Sequence, residues 1–555
     1  MKNMPVGVDD FEEIIAKNYY FVDKTRFIKE LLDKQAKVTL ITRPRRFGKT
    51  INLSMLNYFF NLDNAAVNRA LFVGLYIERA GERYMREQGT RPVIFLTFKD
   101  IKYNTWSGAL KKIASGVAEL YKKYLFLAES AAINEFDREE FFAVCRKQAE
   151  PTDLEDAVAK LCKMLYLHYG KKPVVLIDEY DTPILSAWHH CYYDDCMQFM
   201  RNFFGAALKN NSYLDFAVLT GITRIAKENI FSGLNNLAVC GILAESYADC
   251  FGFTPTEAEN LMQDSNYAGK IAELKQWYDG YKFGRVEIYN PWSVINFVAD
   301  GCKFRPYWIN VAENAVLRDM LCHLDSRRQM DLAVLMRGES VQASINEHIV
   351  YADLAGDRDA LYMLLLHTGY LKAIDSREYQ DGVVLVRLTI PNREIRQAYR
   401  QEILRHTAPQ QGITLLQEML EAMSVGDTDV FSEKLSQVLL DNVSFYDTVQ
   451  PEIFYHGLLL GFAVLTEGLY RVESNRESGH GRFDIAFFPL DKNRAGVIWE
   501  LKAVKTVTDL PLAAKKALEQ IKQNMYVHEL ERQGVENIWQ YGISVCGKKI
   551  YIERG

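Results

Sequence analysis

The sequence predicts an α/β protein with two sheet domains and a helical, winged region between them. Four short apolar runs rich in β-branched residues recur in the first half: VTLIT (38–42), VIFLTF (93–98), VVLID (174–178) and FAVLTG (216–221). Segments with helical spacing separate them, such as Leu53, Leu56, Phe59 and Phe60, or Leu154, Val158, Leu161 and Leu165. Alternation of buried-strand runs with amphipathic helices is the pattern of a parallel, doubly wound sheet. A further α/β pattern runs from about residue 450 to the end.

The chain has 555 residues, several times the length of one typical domain, so two or three cores are expected. Hydrophobic residues make up 48% and charged residues 25%, which excludes a disordered or fibrous chain. The formal charge of -6 excludes an overall basic coat but allows a local basic groove. The nine cysteines include no CxxC pair. Cys191 and Cys196 lie near His189 and His190, a spacing short of a zinc pattern, so separate, mostly buried thiols are expected. The N-terminus, MKNMPVGVDDFEE, is acidic where a signal peptide needs apolar residues, and no run reaches the length of a membrane span. A cytoplasmic protein without membrane contact is the expectation.

Residues 1–240 form the first expected domain. From 241 to 440 the character changes. Helical patches at 256–262 and 269–278 meet the aromatic turn WYDGYKFG (277–284), and NPWSVINFV (290–298) starts another helix, which together suggest a helical lid. Next, ALYMLLL (360–366) reads as a helix, while GYLKAI (369–374) and VVLVRLTI (383–390) flank a polar turn before Pro391. One helix with a two-stranded wing suggests a winged-helix-like module. Two helices, 413–423 and 428–440, lead into the last domain, 441–555, with no Gly/Pro/Ser-rich linker to mark the boundary.

The first motif is VTLITRPRRFGKTINLSML, with strand, loop and helix in the order a phosphate-binding loop requires. Phosphate needs backbone N–H groups converging at a helix N-terminus, a mobile cation and a hydroxyl for Mg²⁺. The segment Arg43, Pro44, Arg45, Arg46, Phe47 and Gly48 is the expected cradle, Lys49 the cation and Thr50 the hydroxyl. Arg43 stands where the usual GxxxxGK[ST] pattern has its first glycine. Pro44 stiffens the backbone, and Arg45 and Arg46 would add positive charge at the phosphates or reach a neighbouring subunit.

In VVLIDEYD (174–181) an apolar strand ends in adjacent carboxylates. Asp178 is the expected Mg²⁺ ligand, through water, and Glu179 the group that polarises the attacking water. Thr220 ends the fourth run, where a γ-phosphate sensor would sit, and Arg224 follows as a second sensor or an arginine finger.

The C-terminal domain carries a second set of candidates. Asp484 begins an apolar strand, and GVIWELK places Glu500 and Lys502 on one face of the next. Alone, an ExK pair reads as a solvated salt bridge. With Asp484 beside it, the set fits metal-dependent phosphodiester hydrolysis: Asp484 and Glu500 hold Mg²⁺ or Mn²⁺, and Lys502 orients or deprotonates water. Glu452 would be a further ligand, and Gln520 and Tyr526 on the following helix would support the site or touch a nucleic-acid backbone.

Blocks across the chain resemble a bacterial AAA-ATPase-like protein fused to a PD-(D/E)xK nuclease-superfamily domain. They are YYFVDKT (19–25), TRPRRFGKT (42–50), LIDEYD (176–181), TGITRI (220–225), WYDGYKFG (277–284), YNPWS (289–293), FYHGLLLGF (454–462), SNRESGHGRFDI (474–485) and WELK (499–502). The resemblance implies a P-loop ATPase fold using ATP and Mg²⁺, followed by a compact nuclease-like α/β fold. It places Asp23 and Lys24 near the nucleotide pocket, and it makes the arginine-rich loop a family habit. Taken together, the motifs lead to the expectation of an ATPase whose nucleotide state controls a metal-dependent nuclease acting on DNA or RNA, with ATP-dependent self-association as a further expectation. The alternative is a switch or scaffold whose C-terminal domain binds nucleic acid without cutting it.

Overall fold

The computed structural model describes residues 2–209, 211–223, 237–308, 317, 326–336, 338–345, 357–379, 383–407, 412–442, 459, 466, 469–474, 477–478, 481–482, 484–491, 493–523 and 526–555. Two compact units are distinguished. The first comprises 1–312, 343–386 and 391–394, and the second 313–342, 387–390 and 395–555.

In the first unit, β1 (Val38–Thr42), β2 (Val93–Thr97), β3 (Val174–Asp178), β4 (Ala217–Gly221) and β5 (Leu237–Cys240) form a parallel sheet in the order β2-β3-β4-β1-β5. The four expected runs supply β1 to β4. Strands β1, β3 and β4 are buried at every position, as strands covered on both faces should be. The sequence reading did not include β5, a four-residue edge strand with three half-buried residues and no continuous apolar signal. With β4 between β1 and β3, the segments leaving their C-terminal ends meet at one crevice.

Beyond the sheet, helices span Pro255–Asp264, Ile271–Tyr278 and Pro291–Ala299. The first begins with a reciprocal Thr254/Glu257 cap, and Asn290 caps the third by accepting from the amides of Trp292 and Ser293. The aromatic turn between the last two becomes a hairpin, β6 (Tyr281–Phe283) with β7 (Val286–Ile288). Strand β8 (Val341–Ile345) precedes the helix Arg358–Thr368. This helix is followed by β9 (Lys372–Glu378) and β10 (Val384–Thr389), and the three strands form a sheet in the order β8-β10-β9. The expected helix and two-stranded wing therefore carry a third strand.

In the second unit, β11 (Tyr470–Ser474), β14 (Ile485–Pro489), β15 (Gly496–Ala503), β16 (Ile538–Cys546) and β17 (Lys549–Arg554) form a mixed sheet in that order. Strands β12 (Glu477–Ser478) and β13 (Gly481–Arg482) make a separate short ribbon. One face of the sheet, with Phe487, Trp499, Leu501 and Tyr541, packs on Met419, Met423, Phe431 and Leu435 of the helices Gly412–Val425 and Thr428–Asn442. A division at residue 440 would separate these helices from the sheet whose apolar face they cover. On the other face, Ile498 packs with Leu518 and Ile521 of the helix Leu510–Gln523. Among the described residues, no helix is long and apolar enough to cross a membrane.

Candidate functional site

The crevice of the first unit is built by three strand ends. Helix Lys49–Phe60 starts after Gly48, whose φ of 83° suits glycine, and Arg46 also lies in the left-handed region at 70°. Asp178 ends β3 fully buried, and its two carboxylate oxygens accept from Thr50 Oγ1 at 2.7 Å and Thr220 Oγ1 at 2.6 Å. Burial pushes the Asp178 carboxyl above its ordinary value, against the pull of these two hydroxyls. A hydroxyl and a carboxylate this close are the hard oxygen donors that Mg²⁺ takes.

Lys49 is buried, and its ammonium donates to the carbonyls of Arg43 at 3.0 Å and Pro44 at 2.9 Å. Burial lowers its pKa, while Glu179, Asp178 and Asp181 oppose that shift. Glu179 has a positive φ of 53°, an uncommon conformation for a side-chain-bearing residue, and its carboxylate accepts from Thr182 Oγ1 at 3.1 Å. Asp181, which the sequence reading passed over, is buried and accepts from the amides of Ile222 and Thr223, both at 2.8 Å. It thereby ties the segment leaving β4 to the one leaving β3. Its signal was present in the EYD run but indistinguishable from surface charge.

Lys49, Thr50, Glu179, Arg45, Arg46 and Gly48 line a cavity of about 330 Å³. Val8, Tyr20, Val22, Phe253, Trp292 and Ile295 are among the other residues that line it. A lining that mixes cationic with apolar and aromatic groups suits a ligand with anionic and aromatic ends. Arg46 places its guanidinium 4.2 Å from the centre of the Trp292 ring.

Arg43, Pro44 and Phe47 of the same loop are buried, although Phe47 also lines the cavity. Arg43 is fully buried, and its guanidinium donates to the carbonyls of Thr42, Cys240, Gly241, Ser246 and Tyr247 at 2.8–3.5 Å. Its ring neighbours are Phe283 and Phe251, and burial lowers its pKa to about 10. The side chain of this expected cradle residue fastens the end of β1 to the end of β5 and the chain after it; only its carbonyl meets Lys49. Phe47 is likewise buried, against Tyr281 and Phe283. Pro44 is buried and presents its carbonyl to Lys49.

Lys24 lines the cavity, but its ammonium is held by both carboxylate oxygens of Glu257, at 2.8 and 2.6 Å. Asp23 accepts from the amides of Thr25 and Tyr76, at 2.9 and 2.6 Å, and is a local organiser of the chain. Arg224 lies outside the described residues.

In the second unit, β14 and β15 pair antiparallel with Ile485 opposite Trp499, and continuing that register sets Asp484 opposite Glu500. Asp484 Oδ2 accepts from the Leu501 amide at 2.8 Å. Period two holds along β15: Trp499 and Leu501 enter one core, while Ile498, Glu500 and Lys502 share the other face. Glu500 is 2% exposed, with Lys502 Nζ 3.7 Å from its Oε1 and Gln520 Nε2 donating to the same oxygen. Across the parallel β15–β16 ladder from Glu500 is Gly542, where a Cβ would come within 2.1 Å of the Ala514 carbonyl. That bare position lets helix Leu510–Gln523 lie close enough for Gln520 to reach Glu500. Tyr526 is 1% exposed and packs with Ile498 and Ile521, so it belongs to the core beneath the strand, away from any solvent-borne backbone. Glu452 lies outside the described residues.

The comparisons agree with this geometry. Residues 5–231 match the AAA-ATPase-like family, described as "Predicted AAA-ATPase", and residues 450–555 match the PD-(D/E)XK nuclease superfamily. Over 547 residues the chain is 26% identical to a protein of Azotobacter chroococcum mcd 1 named "Uncharacterized protein in vnfD 5'region", covering 96% of this chain and 94% of that protein. The chain thus joins an AAA-ATPase-like domain at its N-terminus to a PD-(D/E)XK nuclease-superfamily domain at its C-terminus.

Proposed function

We propose that the first domain binds and hydrolyses ATP with Mg²⁺, and that its nucleotide state controls a metal-dependent nuclease at the C-terminus acting on DNA or RNA. The observation that carries the ATPase half is the meeting of Lys49, Thr50, Asp178 and Thr220 at one crevice, with Lys49, Thr50 and Glu179 lining the cavity. In this reading Thr50 and Asp178 would hold Mg²⁺, and the ion would supply charge neutralisation at the phosphates. Lys49 leaves its two carbonyls for the β and γ oxygens, Glu179 orients the attacking water, and Thr220 fixes Asp178. Arg45 and Arg46 add positive charge near the phosphates, and the apolar and aromatic residues that line the cavity receive the base.

The nuclease half is supported by Asp484, Glu500 and Lys502 on adjoining strands. Asp484 and Glu500 would hold the divalent cation and Lys502 would act on the water, while Gln520 keeps Glu500 in place. The cation itself supplies Lewis acidity at the phosphodiester. The test is to give the purified protein Mg²⁺ or Mn²⁺ with mixed DNA and RNA. Cleavage that Lys502→Ala abolishes is the expected result; binding without cleavage under every metal would replace the nuclease by a nucleic-acid-binding switch.

A further inference from the structure

The phosphate loop is braced from outside. Its backbone holds two left-handed residues, Arg46 and Gly48, and a non-glycine residue in that region persists where its surroundings over-determine it. Pro44, Arg45 and Arg46 each meet a segment far along the chain. Pro44 abuts Gly369, where an added Cβ would lie 3.1 Å from the Pro44 Cβ. Arg46 lies over Trp292. The Arg45 carbonyl accepts from Trp308 Nε1 at 3.3 Å, across 263 residues of sequence.

Trp308 is 1% exposed, and a buried indole N–H needs an acceptor. Its position is fixed in turn by Glu394, a fully buried carboxylate. Glu394 Oε1 accepts from the Trp308 amide and Oε2 from Ser293 Oγ, each at 2.7 Å. Ser293 belongs to the same helix as Trp292. Neither Trp308 nor Glu394 lines the cavity. They act on it through the loop.

We infer that Trp308, held by Glu394, is a positioning residue for the phosphate loop, keeping the Arg45 carbonyl fixed so that the loop retains its receiving shape. The inference rests on the nucleotide-binding reading above. Coupling is reciprocal, so a nucleotide that stabilises the loop also stabilises the Trp308 segment.

The experiment uses the full chain and a fluorescent ATP analogue, with Trp308→Phe, Glu394→Ala and Glu394→Gln. Trp308→Phe keeps a ring against Tyr370, 5.1 Å from Trp308 in the native protein, and removes the N–H. It is expected to weaken binding roughly fivefold, the loss of about one hydrogen bond. Glu394→Ala should weaken binding comparably, while Glu394→Gln keeps an acceptor for the Trp308 amide and should stay within about twofold of wild type. A readout that does not depend on the variants folding is hydrogen exchange in wild type: ATP should slow exchange in the peptide spanning 303–308. Unchanged affinity in Trp308→Phe, or exchange at 303–308 indifferent to ATP, overturns the inference. Wild type that binds no nucleotide overturns the reading of the cavity instead.

Discussion

The two candidate sites are built from different material. At the crevice of the first unit the groups are carried by loops and strand ends, and they satisfy one another: Lys49 is held by its own loop and Asp178 by two threonine hydroxyls. A ligand there must exchange one set of bonds for another. At the C-terminal site Glu500 and Lys502 are carried within the paired strand β15, with Asp484 beside it and Gln520 locked by close helix packing. The first site is suited to switching, the second to holding two carboxylates still.

Substitutions at the two sites test that contrast. The largest effect is expected at Lys502→Ala, which should lower metal-dependent cleavage by ~10²–10⁴ while leaving ATP turnover intact, read by paired cleavage and phosphate-release assays. Lys49→Ala should lower ATP turnover by ~10²–10³ through lost charge stabilisation; unchanged turnover would end the phosphate-loop assignment. Gly542→Ala should destabilise the C-terminal unit by about 1–3 kcal/mol in denaturant unfolding, because its Cβ collides with helix backbone. Gly116→Ala, within helix Trp106–Lys122 with nothing near its added Cβ, should instead stabilise by roughly 0.5–1 kcal/mol.

A pH slope is a separate test. Burial pushes Glu394 from its ordinary 4.5 up to about 8. Over that window the unfolded chain releases a proton that the folded one keeps, so stability falls as pH rises. Glu394→Gln should remove this contribution, flattening the change in melting temperature between pH 5 and pH 8.5; an identical slope in wild type and variant would contradict it.

Much of this was legible in the sequence where the signal is local. A short apolar run rich in β-branched residues fixes a buried strand, and the GKT or DE that follows marks its end, so β1, β3 and the positions of Lys49, Thr50 and Asp178 beside strand ends were readable. Period two likewise put Glu500 and Lys502 on one face. The direction of Arg43 was not readable, since a loop arginine beside expected phosphates carries no mark of the five carbonyls that surround it in the fold. Tyr526 differs for the opposite reason: read as a polar group on the helix with Gln520, it follows the end of that helix and lies in the core that holds Ile498. Strand β5 was too short to register, and the helices around 412–442 carried no sign of which sheet face they cover.

Control of one site by the other is tested by measuring cleavage with and without ATP in wild type, Glu179→Gln and Lys502→Ala. Nucleotide-dependent cleavage is expected in wild type, retained ATP binding with lost turnover and altered cleavage in Glu179→Gln, and no cleavage with normal ATP turnover in Lys502→Ala. Cleavage equal with and without ATP, and equal in wild type and Glu179→Gln, would contradict it.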